Sequence, residues 1–226
     1  MLEYLKKQVY EANMCLAVRN LVIGTWGNAS GIDRERGLIV IKPSGVAYSK
    51  MSAIDFPVVD LDGNVVEGTM KPSIDTLTHI ELYKAFPHIG GIAHTHSLYA
   101  SSFAQAGRGI KPYGTTHADF FPGIIPCTRK MTPNEISSDY ERHTGLVIAE
   151  TFAELDYELL HAVLVHSNSP FTWGKDAADA VESAIVLESI AQMAFQTEML
   201  QLAKCGVPLQ QDLLNMHFKR KHKQEQ

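Results

Sequence analysis

Hydrophobic residues recur at helical spacing along the N-terminal segment of the chain. Leu2, Leu5, Val9, Ala12 and Leu16 share one face of a helical period, which predicts an amphipathic helix over residues 2–19. The same kind of pattern predicts further helices at 75–86, 98–106, 133–152, 176–203 and 208–222. The helix over 133–152 would begin with a proline in its first turn, where that residue is well tolerated.

Short apolar runs between the helical segments predict β-strands at 25–32, 38–42, 58–61, 65–66, 89–93 and 162–166. Asp62-Gly63-Asn64 favours a tight turn, so the third and fourth runs are predicted to form a hairpin. Because strands and helices are mixed without strict alternation, we expect an α/β fold with antiparallel pairs in a sheet covered by helices. No repeat or linker divides the chain, so residues 1–226 are predicted to form one domain.

The overall composition is that of a globular protein and argues against several functions. The chain has 226 residues, 45% of them hydrophobic and 20% charged, with a formal net charge of −5. Without a basic stripe, nucleic acid is not an expected partner. The only basic cluster, at 219–223, is expected to be a solvated helix end. No run reaches the roughly 18 apolar residues of a membrane span, so no membrane partner is expected either.

Three scattered cysteines and the first residues of the chain bear on its compartment. Cys15, Cys127 and Cys205 are far apart and odd in number, which predicts reduced thiols rather than disulfides. The first residues contain no apolar run typical of a secretory leader. We therefore expect a cytoplasmic protein.

Two histidines follow the apolar run at 89–93. His94 and His96 have i, i+2 spacing, which places two side chains on one face of a strand. Two adjacent imidazoles can supply two nitrogen ligands to a divalent metal. An isolated pair of this kind is weak evidence, so the residues around it decide its interpretation.

Three other polar residues are candidates to complete a metal site. Asp75 begins the predicted helix over 75–86 and is either a ligand carboxylate or an ordinary helix-capping acid. His166 and Asn168 end the run at 162–166 with the same i, i+2 spacing. A site with two or three histidines, one carboxylate and an open position suits Lewis-acid catalysis.

Two turns and one loop add further polar groups. Gly27-Asn28 and Lys42-Pro43-Ser44-Gly45 offer backbone N–H groups and an ammonium for a phosphate, or form ordinary turns. The stretch 114–119 is short, polar and not predicted to be helical. Within it, Asp119 is a candidate proton-transfer group, and His117 is either another metal ligand or a satisfied surface histidine.

Longer blocks of sequence carry a resemblance to a known family. They include Thr25-Trp26-Gly27-Asn28, Ile41-Lys42-Pro43-Ser44-Gly45, Lys71-Pro72-Ser73, His94-Thr95-His96-Ser97, Gly114-Thr115-Thr116-His117-Ala118-Asp119 and Trp173-Gly174-Lys175. Through these blocks the chain resembles, almost from end to end, the L-ribulose-5-phosphate 4-epimerases of the class II aldolase superfamily. The resemblance implies a central, mostly antiparallel sheet sandwiched between helix layers.

The resemblance also implies site residues, a cofactor and an assembly. The implied metal is divalent, with zinc first and manganese or cobalt as alternatives, and its ligand positions are Asp75, His94, His96 and Asn168. The implied phosphate site comprises Gly27, Asn28, Lys42, Ser44, Gly45 and Ser73. The implied catalytic residues are Asp119 and His217, the second contributed by a neighbouring subunit of a homotetramer with sites at its interfaces.

The implied activity is the interconversion of L-ribulose 5-phosphate and D-xylulose 5-phosphate, in arabinose or ascorbate breakdown. The implied route is cleavage between C3 and C4, rotation of the retained aldehyde and re-addition, with the metal as Lewis acid. Two alternatives remain open. One is a class II aldolase acting on fuculose- or rhamnulose-type phosphates, and the other is a relative of weakened catalysis that binds a sugar phosphate.

The chain differs from the family pattern at three places. The family has a histidine where this chain has Asn168, and an amide oxygen binds zinc more weakly than an imidazole does. Whether Asn168 or His166 completes the metal site therefore stays open. Ile74 takes the place of a serine and removes a hydroxyl from the implied phosphate pocket, and the family's C-terminal catalytic tyrosine has no counterpart before Gln226.

Overall fold

A computed structural model describes residues 2–201 and 208–222 of the chain. The strands in these residues are β1 Asn28–Asp33, β2 Leu38–Ile41, β3 Val58–Asp60, β4 Val65–Glu67, β5 Gly91–His94, β6 Ala162–Leu164 and β7 Pro170–Gly174. They form one sheet in the order β4-β3-β2-β1-β5-β7-β6. Each neighbouring pair is antiparallel, which confirms the predicted sheet.

Helices precede, separate and follow the strands. They are α1 Glu3–Val18, α2 Thr76–Ala85, α3 Leu98–Gln105, α4 Thr115–Ala118, α5 Pro133–Ser137, α6 Tyr140–Thr151, α7 Ala177–Leu200 and α8 Gln211–His222. Two short 3-10 turns, Tyr48–Lys50 and Ala53–Asp55, lie between β2 and β3. Among the described helices, none combines the length and the apolar character needed to cross a membrane.

A hydrophobic core lies on each face of the sheet, because successive strand residues point to opposite sides. Ile39 and Ile92 belong to the core under α2, α3 and α6, whereas their neighbours Val40 and Ala93 belong to the core under α1. Helix α7 contributes apolar residues to both cores. The sheet is thus sandwiched between helix layers, as the resemblance implies.

The single helix predicted over 133–152 is wrong, because the chain breaks it at Ser138 and Asp139. Helix α5 ends at Ser137, and Asp139 adopts φ −137° and ψ 72° before α6 begins. The Ser138 hydroxyl donates to the carbonyl of Asn134 at 2.8 Å. Short polar side chains bond to nearby backbone and so compete with helix continuation, which the apolar period does not reveal.

Other element predictions differ from the structure at their ends. The strand predicted from 25 begins only at Asn28, the loop 114–119 contains the one-turn helix α4, and β7 was not predicted. The strand predicted over 162–166 ends at Leu164, so His166 lies in a turn whose next residue, Ser167, has φ 64°. Cys15 and Cys127 are free thiols, while Cys205 and Lys223 lie outside the described residues.

Candidate active site

His94 and His96 lie side by side where β5 ends, with ring centroids 5.0 Å apart. Only His94 belongs to the strand, yet the predicted juxtaposition is present. The Nδ1 of His94 donates to the carbonyl of Pro170 at 3.0 Å, and the Nδ1 of His96 lies 3.0 Å from the Ser169 hydroxyl. Oxygens on Nδ1 fix the ring orientation and leave Nε2 as the coordinating nitrogen, an arrangement typical of metal-binding histidines.

The electrostatic surroundings keep the His96 ring neutral. Burial, reinforced by the neighbouring His94 and opposed by Asp75, lowers the pKa of His96 to about 4. A neutral imidazole is the form that binds a metal. The Trp26 ring lies 5.6 Å from the His96 ring while itself 61% exposed, so it forms one wall beside this histidine.

Asp75 directs its carboxylate across to β1 instead of capping its own helix. It is the N-cap residue of α2 but makes no side-chain cap hydrogen bond there. Its Oδ2 accepts from the Asn28 amide at 2.7 Å and from the Ser73 hydroxyl at 3.3 Å. Asn28 pairs with His94 in the register of β1 and β5, so Asp75 is held at the histidine end of the sheet.

The turns predicted to bind an anion lie next to one another. The Ser44 N–H donates to the Lys71 carbonyl, and the Ser73 N–H donates to the Lys42 carbonyl, so segments 42–45 and 71–73 run side by side. The Asn28 amide also donates to the Ser73 hydroxyl at 3.1 Å. The six residues of the implied phosphate site, Gly27, Asn28, Lys42, Ser44, Gly45 and Ser73, are thereby joined with Asp75 in one region.

Glycine is required at position 27 because the backbone there passes close to Val22 and to the end of β5. It has φ 79°, and a side chain there would meet the Val22 side chain and, at 3.0 Å, the His94 carbonyl oxygen. Gly45 also has a positive φ, 70°, but a side chain there would meet nothing within 4 Å. Glycine at position 27 thus allows the backbone to pass directly against the strand that carries His94.

Lys42 is a buried cation that orders the turn before β1. Its ammonium donates to the carbonyls of Thr25 and Pro43 at 3.0 and 3.3 Å and lies 4.8 Å above the centre of the Tyr48 ring. Burial lowers the pKa of Lys42 to about 8, with Asp75 acting in the opposite direction. Its positive charge therefore lies within the electrostatic range of the site.

Asp119 and His217 form a second polar centre at the other end of the sheet. The Asp119 carboxylate accepts from the His217 Nδ1 at 2.8 Å, so α4 and α8 present the two together. Asp119 lines a groove of about 460 Å³ with Ile89, His161 and Gly174. Gly174 pairs with Gly91 at the start of β5, about 10 Å from His94 at the strand's end. One chain does not bring the two centres together.

His117 does not lie on the surface, so that alternative for it is wrong. It is 3% exposed, and its Nε2 donates to the Gly123 carbonyl at 2.7 Å. Burial lowers the pKa of His117 to about 4, so the ring is neutral. Its ring packs against Phe121, and it supports the segment that carries Asp119.

Asn168 and His166 diverge from each other in the turn after β6. The Asn168 amide donates to the Tyr140 hydroxyl at 3.1 Å, and the next residue, Ser169, orients His96. The His166 ring instead lies against Gly107 and bonds to the Ser167 hydroxyl at 2.7 Å. The predicted shared strand face of His166 and Asn168 is wrong, because the strand has already ended.

Several residues that shape the site were missed by sequence reasoning. They are Ser169 and Pro170, which orient the histidines, Tyr48, whose hydroxyl donates to the Gly27 carbonyl, and His79 on the buried face of α2. Across residues 2–201 and 208–222, no three His, Cys, Asp or Glu side chains form a complete metal-ligand group. Trp26 directly precedes Gly27 and Asn28, and that adjacency is the one sequence signal for its place at the site.

Comparison with known proteins places this geometry in a family. The sequence profile of the Class II Aldolase and Adducin N-terminal domain family matches residues 7–195. The chain is 51% identical over 221 residues to L-ribulose-5-phosphate 4-epimerase UlaF of Salmonella paratyphi B, covering 98% of this chain and 96% of the relative. The enzyme of the same name from Salmonella choleraesuis matches with the same identity and coverage.

Solved structures share the fold at lower sequence identity. An L-fuculose 1-phosphate aldolase superposes with a TM-score of 0.80 at 22% identity, covering 96% of this chain and 95% of that one. The L-fuculose-1-phosphate aldolase of Thermus thermophilus superposes with a TM-score of 0.71 at 22% identity, covering 90% and 98%. At this identity the likeness concerns the fold alone.

Proposed function

Because the chain belongs to the class II aldolase and adducin N-terminal domain family, we propose that it interconverts L-ribulose 5-phosphate and D-xylulose 5-phosphate. The observation that carries the proposal is the 51% identity over 98% of the chain to L-ribulose-5-phosphate 4-epimerases. The geometry supports it, since two oriented histidines, a carboxylate and the two turns predicted to bind an anion lie together. An enzyme that cleaves a sugar phosphate with a metal needs both metal ligands and a phosphate-binding turn.

The donors at the end of β5 fit a divalent ion, and we assign zinc with manganese or cobalt as alternatives. His94 and His96 offer Nε2, and their Nδ1 atoms are already bonded to oxygen. Asp75 and Asn168 are the oxygen donors of the set, each at present bonded to another side chain. When bound, the ion supplies Lewis-acid polarisation of substrate oxygens.

The phosphate of the substrate is assigned to the region where segments 42–45 and 71–73 meet. Ser44 offers its side-chain hydroxyl and Gly45 its backbone N–H at a positive-φ turn. Asn28 and Ser73 lie beside this turn, with their side chains bonded to Asp75. Lys42 adds positive charge without a direct bond. These groups retain the phosphorylated fragment while its aldehyde rotates, which is the difference between an epimerase and an aldolase.

Asp119 is assigned the proton transfer at the C4 oxygen, with His217 holding its carboxylate in place. C4 has no adjacent carbonyl, so its inversion proceeds by breaking and remaking the C3–C4 bond. The Asp119 carboxylate accepts the C4 hydroxyl proton as that bond breaks and its electron pair stays on C3. Rotation turns the aldehyde oxygen to the opposite face, where a second proton donor completes the re-addition. His217 bonds to one oxygen of Asp119, which leaves the other for the substrate.

We propose that the Asp119 serving a given histidine pair comes from another copy of the chain. Within one chain, the groove lined by Asp119 lies at the start of β5 and the histidine pair at its end, about 10 Å along the strand. Large apolar side chains around the histidine pair are exposed, namely Ile23, Trp26, Ile74 and Leu98. Such a patch is typical of an interface, so we propose a homotetramer whose sites lie between subunits.

The deciding experiment combines metal analysis with product analysis. Purified protein is expected to contain about one divalent ion per chain and to convert L-ribulose 5-phosphate into D-xylulose 5-phosphate. Release of free glycolaldehyde phosphate and dihydroxyacetone would instead identify an aldolase. Ligand binding without turnover or metal would identify the relative of weakened catalysis.

A further inference from the structure

Two buried polar atoms beneath the site find no hydrogen-bond partner among the described residues. They are the Nε2 of His79 and the Oδ1 of Asn28. Both residues are 0% exposed, so bulk water does not reach them. An unsatisfied buried polar atom costs about 1–3 kcal/mol, so each of the two requires an explanation.

A chain of hydroxyl groups fixes which nitrogen of His79 carries the proton. The Ser30 hydroxyl lies 2.7 Å from the His79 Nδ1 and 2.8 Å from the Tyr83 hydroxyl. If Nδ1 carried the proton, Ser30 would donate to Tyr83, and the buried Tyr83 proton would lack an acceptor among the described residues. The satisfied arrangement runs from Tyr83 to Ser30 to Nδ1, which leaves the proton on Nε2.

The two residues that carry the unpartnered atoms belong to the same contact between β1 and α2. Asn28 and Ser30 are two apart on β1, so their side chains share one face at a spacing of about 6–7 Å. Asp75 and His79 are four apart on α2 and also share a face, and the His79 N–H donates to the Asp75 carbonyl. The Asn28–Asp75 and Ser30–His79 hydrogen bonds are therefore adjacent links between the two elements.

We propose that His79 is a positioning residue that holds Asn28, and through it Asp75, by an Nε2–H hydrogen bond relayed to the Asn28 Oδ1 by one buried water. A water bridging two buried groups of complementary sign is a common way to satisfy both. The proposal rests on the metal and phosphate site assigned above and deepens it.

The consequence is a fixed orientation of the Asn28 amide. With Oδ1 engaged by the relay, its amide nitrogen faces Asp75 at 2.7 Å and Ser73 at 3.1 Å. The flipped amide would set its oxygen against the Asp75 carboxylate, which is repulsive.

Two substitutions of His79 separate the two ring nitrogens. In His79→Gln the side-chain amide takes the place of Nε2, whereas in His79→Asn it takes the place of Nδ1 and keeps the Ser30 contact. Holoenzyme of each variant is titrated with a chromophoric chelator to give its zinc affinity. We expect His79→Asn to bind zinc about tenfold or more weakly than wild type, and His79→Gln to stay within about threefold.

Equal losses in the two variants, or wild-type affinity in His79→Asn, would overturn the proposal. Urea unfolding of both variants separates a general loss of stability from the effect on zinc. A wild-type protein that binds none of zinc, manganese and cobalt and shows no turnover overturns the proposed function instead. In that case the ¹⁵N spectrum of the wild-type histidines decides the inference about His79. An Nδ1–H tautomer of His79 would contradict it. An Nε2–H tautomer, together with a His79→Gln variant as stable as wild type, would support it.

Discussion

The chemistry of His94 and His96 depends on two oxygens that lie far along the chain, 76 and 73 residues later. The Pro170 carbonyl and the Ser169 hydroxyl occupy the two Nδ1 atoms and turn both Nε2 atoms outward. Both oxygens come from the start of β7 and the turn before it, which the apolar pattern did not predict. The two histidines are therefore oriented as nitrogen donors only because β7 and the turn before it pack beside β5.

Asn168 gives the sharpest test of the ligand set at the scale of one residue. Replacing it by histidine is expected to raise the zinc affinity about tenfold, because imidazole is a stronger ligand than an amide oxygen. The Tyr140 hydrogen bond is lost, at a cost of about 1 kcal/mol in the free energy of unfolding. Chelator competition measures the affinity, with Asn168→Gln as the control that keeps the amide. An unchanged affinity in Asn168→His would show that position 168 is not a ligand.

The lowered pKa of His117 predicts that the folded chain loses stability in weak acid. Its pKa is lowered to about 4 in the folded chain, against about 6.5 when unfolded, so the unfolded state binds more protons between these values. The stabilising contribution is complete above pH 6.5 and declines as the pH falls towards 4. Between about pH 7 and pH 5 it falls by about 2 kcal/mol.

Urea unfolding of wild type and His117→Gln at both pH values checks this. The glutamine amide keeps the donor to the Gly123 carbonyl but does not titrate. The free energy of unfolding of the variant should therefore fall less than that of wild type between the neutral and the acidic condition. Parallel losses in the two proteins would mean that other groups account for the acid sensitivity.

At the scale of elements, the site is built where two strands and one helix meet. The β1–β5 register sets Asn28 opposite His94, and the Asn28 amide draws the N-terminus of α2 and its Asp75 to the same place. The backbone before β1 passes so close to β5 that only glycine fits at position 27. The distance between the turns proposed to bind the phosphate and the histidines is thereby set by the sheet.

Gly27→Ala and Gly45→Ala form a matched pair that tests this close approach. Both positions have positive φ, so each alanine costs about 1 kcal/mol in backbone strain. Only at position 27 does the new side chain also meet Val22 and the His94 carbonyl. Gly27→Ala should therefore lose about 1–3 kcal/mol more in urea unfolding than Gly45→Ala does. Equal losses would show that the segment can move away from β5.

At the scale of the whole molecule, the structure separates the groups that one reaction needs. Asp119→Asn is expected to abolish turnover while leaving metal content unchanged, because Asp119 and the histidine pair lie at opposite ends of β5. His96→Asn is expected to abolish turnover together with metal binding. Neither variant alone tells which copy of the chain supplies Asp119.

Mixing the two inactive variants answers that question. If sites are shared between subunits, random reassembly after mild dissociation should restore about a quarter of the sites, namely those pairing an intact histidine set with an intact Asp119. Unmixed samples taken through the same dissociation serve as controls. No recovery in mixed samples that have demonstrably exchanged subunits would place the whole site within one chain.

Local sequence pattern predicts most of the helices, one hairpin and the candidate residues. Apolar periodicity correctly predicted α1, α2, α3, α7, α8 and the β3–β4 hairpin, since burial of one face leaves a local pattern. Local pattern also identified His94, His96, Asp75 and Asp119, because their residue types and spacing are visible in one dimension. Their roles in metal binding and proton transfer remain predictions.

Strand pairing and helix packing fix which of these residues come into contact. It joined Asp75 to Asn28, oriented both histidines from β7, turned His166 away towards α3, and set Asp119 with His217 at the far end of the sheet. It also placed His79 beneath the site. These relations are absent from local pattern because strand register and helix packing are set by the total burial of apolar surface and hydrogen-bond satisfaction across the molecule, not by neighbours in the chain.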